Sequence, residues 1–386
     1  MFKTKVSQST SVDAFLLGKE CAENAYSMGD VKIGLLFTNA DMNQEEILRG
    51  AKSVFGNKPI IGCTSSKGIM TKNGILSGES YGGMMSFGGD DLVVGVAYAQ
   101  NTNNARELGK KLARDAINSA GIKKVPTYYA LFSTPGEEEN YIKGIEDVIG
   151  QVPFFGCTAG DNNFDGKLSL LCDNTVIRNG VAVVFFYSKS EVKNEFSSGY
   201  EESDKVGVIT KLNGKRTISE IDHISALSLY SEWVNVPKET LLGGSIYSKS
   251  LLNPMGVKDP QGNVMAVRSL LSSNSDGSIN VSNNLSENTA IIKLNIEPAG
   301  IMNSAEMTLM SLNNKLKKEA NSYLLFEDVG RILSIGNNIN ELYNKICSLT
   351  NGKEFLMIYP FGEFGSSNHS ASTCSSLMHS YNCFTK

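Results

Sequence analysis

Pro59-Ile60-Ile61-Gly62-Cys63-Thr64-Ser65 returns further along the chain as Pro153-Phe154-Phe155-Gly156-Cys157-Thr158-Ala159. In each copy an apolar run enters a Gly-Cys-Thr turn, the pattern of a buried strand that stops abruptly and exposes small polar groups. The flanks match as well. Leu35-Leu36-Phe37 upstream of the first copy answers Ala130-Leu131-Phe132 upstream of the second, and Gly82 to Phe87 downstream answers Asn179 to Phe185. Self-similarity at one fixed offset marks a supersecondary unit used twice, about 31–100 and 126–188. Two such turns brought together are expected to form a pocket.

Outward from the turns, the periodicities define the rest of each unit. Ser11 to Ser27 has helical spacing, and Val31 to Phe37 is an apolar strand. Asn43 to Phe55 is a crossover helix leading to a parallel strand, Pro59 to Cys63. Tyr81–Phe87 and Leu92–Ala99 predict a hairpin around Gly88-Gly89-Asp90. The second unit repeats the order: helix Arg106–Ala120, strand Pro126–Phe132, helix Glu137–Ile149, and strands Pro153–Cys157 and Val181–Tyr187. The acidic run Glu137-Glu138-Glu139 fits the first turn of its helix, where negative charge meets the dipole.

The second half changes character. Thr217 to Tyr230 runs from a strand into a helix. Val264–Leu270 and Ala290–Ile296 read as strands, with a hairpin signal at Asp276-Gly277. Ser304–Ala320 reads as a long helix with Met307, Met310, Leu312 and Leu316 inward. Tyr323–Phe326, helix Ile339–Leu349 and Phe355–Pro360 make one more β-α-β. It ends in Pro360-Phe361-Gly362-Glu363-Phe364-Gly365, a weak relative of the Gly-Cys-Thr turns that would not by itself count as a repeat. The expected fold is α/β with two domains: duplicated β-α-β-β-β units forming a mixed sheet flanked by helices, and a second α/β domain.

Composition narrows the function. The 386 residues suffice for two cored domains, and 41% hydrophobic with 20% charged is ordinary for a soluble protein. A net charge of −4 offers no basic footprint for nucleic acid. No apolar run reaches the ~20 residues of a membrane span, and the N-terminus lacks a signal core. Seven cysteines without a Cys-x-x-Cys pair suggest neither disulfide framework nor zinc site, and point to the cytoplasm.

In order and spacing these segments resemble the FIST family of bacterial sensory modules. Ile61-Gly62-Cys63-Thr64-Ser65 is similar to the N-terminal domain's Gly-Cys-Ser/Thr signature. Glu220-Ile221-Asp222 with Ala226-Leu227 and Tyr230 resembles the junction motif. Pro254-Met255-Gly256, Val267-Arg268, Gly330-Arg331 and Gly362-Glu363 are similar to C-terminal-domain markers. The chain departs from the pattern at His223, where Gly is usual, at Ser225 for Pro, at Asp328 for Cys, and within Met378-His379-Ser380-Tyr381-Asn382. The resemblance implies an N-type domain over 30–221, a C-type domain over 222–365, and a tail, 366–386, packing on the latter. It also implies a small amino-acid-like ligand, no catalytic activity, no cofactor, and an output carried by a separate protein such as a kinase or cyclase. Some relatives are described as haem-binding gas sensors.

The expected ligand contacts are Cys63, Thr64, Ser65, Cys157, Thr158, Asp161, Arg268 and Glu363, with no metal ligand. Thr64, Ser65, Thr158 and Asp161 stand at the carboxyl ends of parallel strands, where loop amides and helix N-termini converge on ligands, although capping explains the same residues. Arg268 suits a carboxylate and Glu363 an ammonium group, or the two pair with each other. Two alternatives stand beside this reading. A thiol or hydroxyl nucleophile at Cys157 or Thr158 would make an acyl transferase or amidase, yet a thiolate needs a base, and the histidines are His223, His369 and His379. A haem sensor would use His223, beside Asp222 at a helix start, without any Cys-x-x-Cys-His attachment site.

Overall fold

The computed structural model describes residues 2–365 and 373–385, so His369 and residues 366–372 of the expected tail lie outside it. In the first unit, Asn43 caps helix Gln44–Phe55 by accepting from Glu46 N–H, and Glu45 and Glu46 occupy its first turn. The helix connects strands Val31–Asn39 and Ile60–Ser65, which pair in parallel. The second unit repeats this with helix Glu138–Ile149 between parallel strands Tyr128–Ser133 and Phe154–Thr158. Cys63 and Cys157 sit in equivalent places near the ends of their strands. The glycine before each cysteine has a steric cause. A Cβ on Gly62 would meet the Leu36 carbonyl oxygen at 1.8 Å, and one on Gly156 would meet that of Leu131 at 1.8 Å.

The expected hairpin between the units does not form. Gly82–Gly88 lies between Lys3–Ser9 and Val31–Asn39, whereas Val93–Gln100 pairs with Gly180–Tyr187 of the second unit. The N-terminal strand, absent from the sequence reading, takes the edge that the hairpin needed. Each unit therefore runs strand, helix, strand, helix, strand, short hairpin, strand.

A third unit follows the same order. Val192–Ser197 is its edge strand, Pro298–Asn314 its first helix, and Ala320–Glu327 and Glu354–Ile358 its parallel pair. His379–Thr385 closes it, so the residues expected as a tail supply the strand between Val192–Ser197 and Ala320–Glu327. The short hairpins are exchanged in a ring. That of the second unit, Leu170–Cys172 with Thr175–Ile177, extends the first unit's sheet at Ile60–Ser65. That of the third, Gly362–Gly365 with Thr373–Ser375, extends the second at Phe154–Thr158. That of the first, Ile69–Thr71 with Gly74–Leu76, extends the third at Glu354–Ile358. The mixed α/β class holds, with the strands divided among separate sheets. Phe37, Phe132 and Phe326, one from each unit, meet on the pseudo-threefold axis at ring separations of 5.7, 6.3 and 6.5 Å.

Between Val192–Ser197 and Pro298–Asn314 the chain leaves the third unit and builds an eight-stranded antiparallel sheet from strands within Glu201–Asn295. Helix Ala226–Val234 packs Leu227, Tyr230 and Trp233 into that sheet's own core. The long helix begins six residues earlier than its periodicity suggested, at Pro298, a residue suited to a first turn. Its inward face is Ile301, Met302, Ala305, Leu309 and Leu312, so Met307 and Met310 are 64% and 40% exposed rather than inward. No helix among the described residues is long and apolar enough to cross a membrane.

Candidate functional site

The Gly-Cys-Thr turns do converge, but on the axis, where they are filled. Ser66 N–H donates to Tyr359 O, Gly160 N–H to Thr64 O, and Phe361 N–H to Thr158 O, at 2.9, 3.0 and 3.2 Å. These three bonds form a closed ring joining all three units. Below it Cys63 and Cys157 place their sulfurs 3.6 Å apart in a fully buried core. Burial drives the Cys157 thiol well above its usual range, and the Cys63 contact adds to this. Thr64 accepts from Ser169 N–H, and Ser65 donates to Gly68 O and accepts from Tyr359 N–H. These four side chains are spent on packing and loop closure.

A cavity of about 680 Å³ opens beside the second turn, roofed by the inserted sheet. The second unit contributes Pro135, Glu138, Thr158, Asp161 and Phe164; the third contributes Phe361; the insert contributes Tyr247, Ser269, Ser282 and Asn283. It lies at the carboxyl ends of a parallel pair, as open α/β sheets favour. Thr158 and Asp161 are thus the two expected residues that line it. Asp161 also builds its rim: its carboxylate accepts from the N–H groups of Asn163, Asp165 and Gly166. That loop holds Phe164 at φ 58°, a costly left-handed backbone for an aromatic residue, with the ring 46% exposed. Phe164 stacks on Phe361 at 5.0 Å and leans on Tyr247 at 5.3 Å.

Glu138 is the charged group that sequence reasoning missed. Its position in the acidic run pointed only to the helix dipole, because the run shows no partner from distant sequence. In the fold it is 2% exposed. Its Oε2 accepts from Arg216 Nη2 at 2.6 Å and Gly136 N–H at 2.8 Å, whereas Oε1 has a single long contact, 3.4 Å from Thr158 Oγ1. Burial pushes the carboxyl upward and Arg216 opposes it. Among the described lining residues there are two carboxylates and neither Lys nor Arg.

Arg268 and Glu363 lie elsewhere and share no hydrogen bond or ion pair. Glu363 is fully buried, its Oε2 takes Met378 N–H at 3.2 Å, and burial beside Asp328 raises its carboxyl well above the usual range. It lies beside a largely buried polar cluster. There Ser304 Oγ is 3.1 Å from His379 Nε2, and His379 Nδ1 is 2.6 Å from Glu327, the spacing of a nucleophile, base and orienting acid. Arg331 Nη2 donates to that same Nε2 at 2.8 Å and to Ser304 at 2.6 Å, so the imidazole lone pair is occupied. None of these residues lines the cavity. His223 is exposed in a two-residue turn at φ 63°, a left-handed geometry that glycine adopts more readily than a residue with a side chain.

A search for similar sequences among curated proteins found no match. Among solved structures, a cyanuric acid hydrolase from A. caulinodans aligns over 100% of both chains at 10% identity with a TM-score of 0.40, a likeness too loose to carry an inference about this chain. Family models match far more definitely: the FIST N domain over residues 32–224 and the FIST C domain over 226–366. Together they span nearly the whole sequence, and the chain belongs to the FIST family of sensory, signal-transduction domains.

Proposed function

We propose that this protein is a non-catalytic cytoplasmic sensor that binds a small polar, amino-acid-like ligand in the 680 Å³ cavity and signals to a separate output protein. One observation carries the reading: the cavity joins an under-used carboxylate oxygen, Glu138 Oε1, to a wall of three aromatic rings. An ammonium group would donate to Glu138 and Thr158, while the ligand's apolar body packs on Phe164, Phe361 and Tyr247, where the ring faces also favour a cation. The contacts come from the second unit, the third unit and the insert. A ligand held by all three favours the arrangement in which they close around it, and that shift in population is the signal. Cys157 supports binding over chemistry, because its protonated thiol faces the axis and Cys63.

The test begins with mass spectrometry of the small molecule that travels with the purified protein, followed by calorimetric titration of that compound. Glu138→Gln and Phe164→Gly should each weaken binding at least about tenfold, on the order of 1.4 kcal/mol. Cys63→Ser and Cys157→Ser should leave affinity within about tenfold. Turnover of the compound that is abolished by Cys157→Ser would replace this reading with the acyl-transfer or amidase alternative.

A further inference from the structure

We propose that Arg268 anchors a second ligand site, for a small oxyanion, in a separate depression of about 510 Å³. Glu139 and Asn284 line this depression, as their sequence neighbours Glu138 and Asn283 line the main cavity, and Arg216 bonds both glutamates. Arg268 is 7% exposed, and no carboxylate among the described residues lies within ion-pair distance of it. Its Nη1 donates to the carbonyls of Val267 and Cys374 at 3.1 and 3.3 Å, while Nε is buried without a partner. Nη2 makes no hydrogen bond among the described residues. Segment 366–372 contains no Asp or Glu. Glu139, the acid whose charge acts most on Arg268, is already committed to Arg216 at 3.1 Å and to Asn284 N–H at 2.9 Å.

A buried guanidinium without a counter-charge is costly, and folded proteins rarely keep one unless something pairs with it. Burial lowers the pKa of Arg268, and Glu139 only partly offsets it. The free Nε–Nη2 edge offers two parallel N–H donors, which match the oxygens of a carboxylate and, less closely, those of a phosphate. Exposed Lys143 and Lys215 line the same depression and add the field that draws an anion in. A carboxylate is the ligand class this geometry favours. The site is independent of whatever occupies the main cavity.

The experiment is calorimetric titration of the full chain, with parallel thermal melts, using acetate, succinate and inorganic phosphate at constant chloride-adjusted ionic strength. Succinate and acetate should bind saturably at one site. Arg268→Lys, which keeps the charge and loses the fork, should weaken binding about tenfold or more. Arg268→Met should abolish it while melting no lower than wild type in chloride alone, since it removes an unpaired buried charge. Lys215→Glu, at the exposed mouth, should weaken binding several-fold and decides the matter if the methionine variant fails to fold. Phosphate binding with the same dependence on Arg268 would support the oxyanion site and identify phosphate as its occupant. Absence of saturable binding, or binding indifferent to Arg268→Lys and Lys215→Glu, would overturn it. Glu138→Gln should leave anion affinity within about threefold; a comparable loss there would show one site instead of two and would also overturn it.

Discussion

Cys157 holds the most reactive type of side chain in the repeated turn, yet its surroundings take the reactivity away. It is fully buried against Cys63 with its thiol held protonated. Iodoacetamide at neutral pH should therefore modify Cys157 at least about a hundredfold more slowly in the native protein than in urea, with partly exposed Cys347 reacting first. Rapid, selective alkylation of Cys157 in peptide mapping would contradict that. At this scale Thr158 and Asp161 were legible, because small polar residues at the carboxyl end of a parallel strand have a general reason to be there. Glu138 was not, because its significance comes from Arg216 and Thr158, distant in sequence.

Among the elements, the repeated glycines leave no room for a side chain, since a Cβ at Gly62 or Gly156 would lie 1.8 Å from a backbone oxygen of the neighbouring strand. Parallel strands Val31–Asn39 and Ile60–Ser65 come so near that no side chain fits at Gly62. Gly62→Ala should destabilise the protein by more than about 2 kcal/mol in urea denaturation, since the obstructing atom is backbone and cannot rotate aside. A loss below about 0.5 kcal/mol would show that the strand pair opens freely. The helices and the longer strands of the first two units were readable to within a few residues because their apolar periods are strong, whereas Lys3–Ser9 and the short hairpins were not read. Pairing was less readable. The hairpin at Gly88-Gly89 had the right turn residues, but Lys3–Ser9 took the partner's place. For the helix at Pro298–Asn314, Met307 and Met310 fit an apolar stripe by residue type, and a neighbouring stripe packs instead.

The whole molecule is a ring of three units with one long insertion, and the largely buried polar cluster around Arg331 clamps the ends of that insertion. Arg331 donates to Ser198 O, where the chain departs, and to Ile301 O and Ser304, where it has returned. Glu327 neutralises it through a 2.8 Å contact to Nε. Burial alone would raise the Glu327 carboxyl; His379 and Arg331 outweigh it and hold it at about 2, against an ordinary 4.5. A depressed carboxyl contributes its full stability above the unfolded value and loses it as pH falls toward the folded one. Glu327→Gln should accordingly cost about 3–5 kcal/mol at pH 7, and the gap from wild type should narrow as pH falls below 4.5 toward 2. Urea denaturation at neutral and acidic pH measures this, and an equal gap at both would refute the clamp.

Local pattern was enough to specify the α/β class, the repeated β-α-β core of the first two units and the family, because periodicity and repeated turns are properties of short segments. The third unit escaped notice for a chemical reason: Ile358-Tyr359-Pro360 occupies the place of Cys-Thr-Ser and Cys-Thr-Ala and shares none of those residues. Only the assembled backbone shows the equivalence, through the ring of bonds at Ser66, Gly160 and Phe361. The exchange of hairpins, the cavity beside the second turn and the unpaired Arg268 were likewise decided in three dimensions. An apolar stripe says that a face will be covered, and a charge says that it needs a partner. Which segment covers the face, and whether the partner arrives, depends on contacts between residues far apart in the chain.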